Sequence, residues 1–159
     1  MDSLIPRTDR WEAFDKIERA IVENLPEAFH RTTHNFTPGL YIRTTFVQAN
    51  ALFTSQIHKT EHPFMLASGI ADVWVDGIGW QRIEAPYMGV TKAGTRRLIV
   101  GITETVCTTF HVTDKTDIDE IEADIYELRT AHLEGASHPR IDTITPAALA
   151  GAAGTESGV

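Results

Sequence analysis

The chain has 159 residues, 42% of them hydrophobic and 23% charged, which suits one globular domain with a sizeable core. Twenty-two acidic against 14 basic residues give a net charge of −8, and the densest basic pair is Arg96-Arg97, so a nucleic-acid partner is excluded by repulsion. No run of about 18 apolar residues is present, which excludes a transmembrane helix. The N-terminus is charged throughout and the only cysteine is Cys107; with no apolar leader and no disulfide framework, a cytoplasmic location is expected.

Residues 9–25 place Trp11, Phe14, Ile17, Ile21 and Leu25 at helical spacing, so an amphipathic helix with that stripe buried is expected. Asp9 followed by Glu12 suits a capping box, and Pro26 ends the pattern. His34 is expected in a loop, because Asn35 and Pro38-Gly39 are turn formers. From about 40 to 112, stretches rich in Val, Ile, Thr, Phe and Tyr alternate with turn residues. Strands are expected near 40–48, 51–58, 64–68, 70–76, 79–84, 87–91, 96–102 and 105–112. Turns fall at Asp76-Gly77, Ala85-Pro86 and Lys92-Ala93-Gly94. No crossover helix separates any two of these strands, which points to an antiparallel sandwich or barrel. A second helix is expected over 117–133, capped by Thr116 or Asp117, with Ile118, Ile121, Ile125 and Leu128 buried. The segment after residue 135 is Ala, Gly, Thr, Ser and Pro and is expected to be a mobile tail. The expected organisation is thus a helical lead-in over 1–39, a barrel over 40–112, a helix within 113–134 and a tail over 135–159.

Three of the seven histidines lie in the β region. On a strand running to residue 58, Gln56 and His58 would share a face. Pro63 blocks a helix, so His62 opens the next strand. His111 shares its face of the last strand with Cys107 and Thr109. Neutral imidazoles converging in a barrel interior suit Fe, Ni, Cu, Mn or Zn. His132 and His138 fall at the helix end and in the tail, where a cation complements the helix dipole. Glu61, next to His62, is expected to point away from it. No glycine-rich phosphate loop is present, so a nucleotide cofactor is not supported. No His-Asp partner pattern marks Cys107 as a nucleophile.

The stretch from Gln56 to Gly69 resembles the first cupin motif. Gln56 stands where that motif has its first histidine, His58 takes the second histidine's place, His62 takes the glutamate's, and Gly69 is in register. The segment from Ile70 to Gly77 is similar to the strand and turn that follow. Lys92-Ala93-Gly94 resembles the opening of the second motif, with Arg97 at its histidine position and Pro86 like the proline that begins that hairpin. The chain is also similar to small cupin-like proteins carried by phages and prophages. The resemblance implies an all-β, cupin-like antiparallel barrel of jelly-roll type with a helix at each end, and a possible homodimer. It implies a divalent transition metal, Fe, Ni, Mn or Zn, held by Gln56, His58 and His62, and strand parity adds His111 as the fourth candidate in place of Arg97, which cannot ligate a cation. Arg97, if it points inward, can hold a substrate carboxylate bidentately; if outward, it is half of a surface pair with Arg96. Tyr41 and Thr109 are candidates for the same pocket wall, with Arg43 near Tyr41. Two function classes are left open. One is a metal-dependent enzyme of dioxygenase, isomerase or lyase type acting on a small organic, anionic substrate. The other is a non-catalytic ligand-binding module or phage accessory or assembly protein, which the changed ligands Gln56 and Arg97 favour.

Overall fold

A computed structural model describes residues 7–26 and 30–127, the first five of these by backbone alone. Asp9 lies within the first helix, Arg7–Asn24, and is not its N-cap as expected. The Trp11 side chain, the Leu128 end of the second stripe, His132, His138 and the tail over 135–159 lie outside the described residues. Among the described residues the order is α1 (Arg7–Asn24), β1 (His30–Thr37), β2 (Leu40–Val47), β3 (Leu52–Thr54), β4 (His62–Ser68), β5 (Ile70–Val75), β6 (Gly79–Glu84), β7 (Tyr87–Thr91), β8 (Arg97–Gly101), β9 (Thr105–Val112) and α2 (Ile118–Ile125). No helix among them is long and apolar enough to cross a membrane.

The strands form two antiparallel sheets, ordered β1-β2-β9-β4-β7 and β3-β8-β5-β6. The turn chemistry read from the sequence falls between strands as expected. Pro38-Gly39 closes the β1–β2 hairpin, whose last pair is Thr37 with Leu40. Asp76-Gly77 turns β5 into β6, and Ala85-Pro86, a cis bond, leads into β7. Gly69 sits at the β4–β5 junction with φ +92°, and a Cβ there would lie 2.1 Å from the Glu104 carbonyl oxygen. Only glycine satisfies both the left-handed backbone and that close approach.

Strand alternation sorts the five-stranded sheet into two faces. On the inner face one row carries Tyr41 opposite His111, and His62 opposite Thr91. The next row carries His34, Arg43, Thr109, Phe64 and Gly89, and the one after it Thr32, Thr45, Cys107, Leu66 and Tyr87. This interior is polar at one end. There α2 closes it, burying Ile121 and Ile125 with Tyr41 and Tyr126 in one apolar cluster. Asp117 caps α2 by accepting from the Glu120 amide at 3.0 Å, and Asp119 and Glu120 complement the dipole in its first turn.

Several expectations are corrected. The segment 30–37, read as loop around His34, is strand β1, because its Thr-rich polar sequence pairs fully with β2. Strand β3 ends at Thr54, so Gln56 and His58 do not share a strand and parity does not relate their side chains. Helix α2 ends at Ile125, where Tyr126 turns extended to bridge with His58. On α1 the buried positions are Phe14 and Glu18, while Ile17 and Leu25 are 40% and 46% exposed. The reason is Arg96, just before β8 of the four-stranded sheet, which draws Asp15 and Glu18 to 2.8 and 2.7 Å. Phe14 packs beside it on Trp74, with ring centroids 5.5 Å apart. Arg96 is therefore buried under α1 rather than half of a surface pair.

Candidate metal centre

His62 opens β4 and His111 lies near the end of β9, so neighbouring strands bring their rings to 4.5 Å between centroids. His58 comes from the segment between β3 and β4. Its carbonyl accepts from the Gly94 amide at 2.8 Å, and on either side of it the Lys59 amide donates to Ile125 and the Glu127 amide to Ile57. The turn before β8 and the strand-like end of α2 thus grip the His58 backbone. Its ring lies 4.2 Å from that of His62 and 6.0 Å from that of His111.

All three side chains are buried, and one ring nitrogen from each lies within 4.8 Å of one from each of the others. A cation bound about 2.1 Å from each donor needs them within about 4.2 Å, so the rings stand close to binding separation. His58 Nδ1, His62 Nε2 and His111 Nδ1 are buried with no hydrogen-bond partner. Such orphaned groups are rare in folded chains and call for an unseen partner. The opposite edges are engaged: His62 Nδ1 donates to the Thr60 carbonyl at 3.3 Å, and His111 Nε2 meets Thr109 Oγ1 at 3.1 Å. Fixing a proton on Nδ1 of His62 leaves a bare lone pair on its Nε2, the state a metal ligand requires.

Burial disfavours the imidazolium at every member. It holds His58 down at about 3, helped by His62, His111, Arg97 and Arg43, and His111 at about 4, helped by His62 and Arg43. Burial also lowers His62, opposed by its bond to Thr60. The rings are therefore neutral at ordinary pH, and the donor set fits a borderline divalent transition metal.

The remaining candidates divide. Arg97 points into the interior: its guanidinium lies over the Phe64 ring and donates to Thr91 Oγ1 at 2.9 Å. Thr109 meets His111 directly. Tyr41 is fully buried behind His111, stacked on it at 5.9 Å, with its hydroxyl 2.6 Å from His34 Nδ1. Gln56 is half-buried in irregular chain two residues before His58. Cys107 lies on the inner face of β9, its thiol pushed up to about 11 by burial. Glu61 faces outward and pairs with Lys92 at 2.6 Å. Tyr126 was missed, because residue 126 lay inside an expected helix and off its apolar stripe. It packs edge-on against the His58 ring at 4.9 Å, and its hydroxyl accepts from Arg43. No feature of the local sequence marks it.

No family model matches the chain, and no curated protein matches it. Among solved structures the fold is similar to that of salicylate 1,2-dioxygenase from Pseudaminobacter salicylatoxidans, at 16% identity and a TM-score of 0.50, over 73% of this chain and 36% of that one. A protein of unknown function from Vibrio parahaemolyticus aligns at 7% identity and a TM-score of 0.45, over 54% of this chain and 98% of that one. The chain spans about a third of the dioxygenase it matches, and likeness at this identity is one of fold. That fold is a cupin-like β-sandwich with a flanking helix at each end. Its interior holds the buried cluster of three histidines, a candidate metal centre.

Proposed function

We propose that the chain is a metal-dependent enzyme of the cupin superfamily that acts on a small organic anion. His58, His62 and His111 hold a divalent transition metal, drawn from Fe, Ni, Mn and Zn, and Gln56 is the weaker fourth donor. The observation that carries this reading is the set of three buried imidazole nitrogens without partners, gathered in one interior. Metal bound there with open positions supplies Lewis-acid polarisation of a substrate oxygen and, for a redox-active ion, a site for dioxygen. The protein's own residues do the rest. Thr60 and Thr109 orient two of the rings, and Tyr126 packs against the third. Arg97, anchored on Thr91, keeps donors for a substrate carboxylate, and its planar fork suits bidentate contact. The reaction type is of the dioxygenase, isomerase or lyase kind, and the dioxygenase that shares the fold agrees with that range.

Metal analysis of tag-free protein tests the proposal. Near-stoichiometric Fe, Ni, Mn or Zn is expected, with the content lost in the His58→Ala, His62→Ala double variant. A chain that carries no metal and takes up none of these ions overturns the enzyme reading and favours a non-catalytic ligand-binding module.

A further inference from the structure

Two cations enter the interior from opposite sheets. Arg43 of β2 pairs in register with Thr109 of β9, and Thr109 pairs in turn with Phe64 of β4. Arg97 of β8, in the other sheet, lays its guanidinium 5.4 Å from the Phe64 ring centroid. Arg43 reaches the Tyr126 hydroxyl, whose ring packs on His58, and both arginine charges bear on His58 and Cys107, so the two guanidinium groups converge on the interior that holds the imidazoles. The backbone row of Arg43, Thr109 and Phe64 lies next to the one that holds His62 and His111.

Both arginines are held but unsatisfied. Arg43 donates to the Tyr126 hydroxyl, and its Nε is buried with no partner. Arg97 spends one donor on Thr91 Oγ1. A guanidinium carries several more N–H donors and no acceptor. Among the described residues neither arginine meets a carboxylate. Glu122 of α2 is felt at Tyr41 and Tyr126 but forms no ion pair with either arginine. Cations removed from water without a counter-charge cost several kcal/mol each, and neutral imidazoles leave the charge of any bound metal uncompensated as well. The interior therefore calls for a ligand with more than one negative charge.

We propose that Arg43 and Arg97 form an anion clamp in this interior, and that the clamp takes a short dicarboxylate whose second carboxylate is directed to the imidazole cluster. The clamp itself needs only the two arginines; the second contact rests on the metal reading above. Anchoring by Tyr126 and Thr91 fixes both forks before the ligand arrives, which cuts the ordering cost of binding.

Calorimetric titration of the full chain with malonate, succinate, acetate and uncharged malonamide tests this, on metal-loaded and chelator-treated protein. On loaded protein malonate or succinate is expected to bind about 10-fold or more tightly than acetate, with malonamide not binding. On chelator-treated protein the dicarboxylates still bind, more weakly. Arg43→Lys and Arg97→Lys keep the charge and lose the fork; each is expected to weaken dicarboxylate binding by about 10-fold, with circular dichroism and metal content unchanged. Equal affinity for malonamide, no dicarboxylate binding by the parent, or unaltered binding by both variants overturns the clamp. Metal content is read separately. Dicarboxylate binding without metal uptake refutes the metal reading and leaves the clamp, whereas metal uptake without dicarboxylate binding refutes the clamp and leaves the metal reading.

Discussion

Acidifying the metal-free protein should destabilise it before most of its carboxylates titrate. An unfolded histidine ionises near its ordinary value of about 6.5, whereas burial holds His58 at about 3 and His111 at about 4. Between those limits the unfolded chain binds protons that the folded chain refuses, so stability falls as pH falls. Above about pH 7 both states are neutral at these groups and the contribution vanishes. At about pH 5 each group costs about 2 kcal/mol, the free energy of protonating an unfolded imidazole about 1.5 units below its pKa. The pair thus costs about 4 kcal/mol, and His62, lowered in the same direction, adds to it. For a chain of this size that corresponds to roughly 8–16 °C in thermal midpoint. The assay is thermal or urea unfolding of chelator-treated protein at about pH 7.5, 6 and 5, beside a His58→Gln, His111→Gln variant. The parent is expected to lose stability across that range and the variant to lose much less. A flat profile for the parent, or the same slope in the variant, would refute the assignment of these two rings as the buried neutral groups.

The imidazoles should dominate metal affinity: His58→Ala and His62→Ala each weaken it by about 10-fold or more, and Gln56→Ala by less, because an amide oxygen is a weaker donor than imidazole. His58→Ala and His62→Ala binding metal like the parent would remove the site. Arg96→Met should cost about 3–5 kcal/mol in urea unfolding, since it removes the buried cation that pairs with the Glu18 carboxylate and with Asp15. A loss below about 1 kcal/mol would mean that α1 is not held by this pair. Gly69→Ala should lower stability by about 2 kcal/mol or more, because its Cβ meets the Glu104 carbonyl oxygen; an unchanged unfolding midpoint would contradict the junction geometry.

The sheets were legible because alternation and turn chemistry are local signals. Strands β2, β5, β6, β7, β8 and β9 fall within a residue of their expected bounds, and Gly69 takes the positive φ of the β4–β5 junction. What failed depended on partners distant in sequence. β1 reads as polar loop until β2 is there to pair with it. Glu18 reads as a solvent-facing helix position until Arg96, 78 residues away, takes its carboxylate. The second helix stops at Ile125, because Tyr126 finds a strand-like partner in His58. In the candidate site, His58, His62 and His111 were legible through motif register and strand parity. The inference for Gln56 rested on a strand that stops short of it. The pairing of Arg43 with Tyr126 spans 83 residues, and no sequence period carries it.

The interior is built at a cost in stability that its packing elsewhere must offset. Orphaned nitrogens on His58, His62, His111 and Arg43 each carry a desolvation penalty of about 1–3 kcal/mol, at the position where most sandwiches bury apolar side chains. The compensating apolar contacts lie at the end of the interior, where Tyr41, Ile121, Ile125 and Tyr126 pack together, and outside it, where Phe14 meets Trp74. Tyr126 belongs to both systems. Its ring is part of the apolar cluster and touches His58, and its hydroxyl holds Arg43. Docking of α2 and the geometry of the site are therefore one equilibrium. Whatever binds the imidazoles or the clamp must also tighten the end of α2, by mass action on the folded state. Conversely, loosening α2 frees His58 and Arg43 together, so damage to this short helix should register first as lost affinity at the site and only then as unfolding of the sheets.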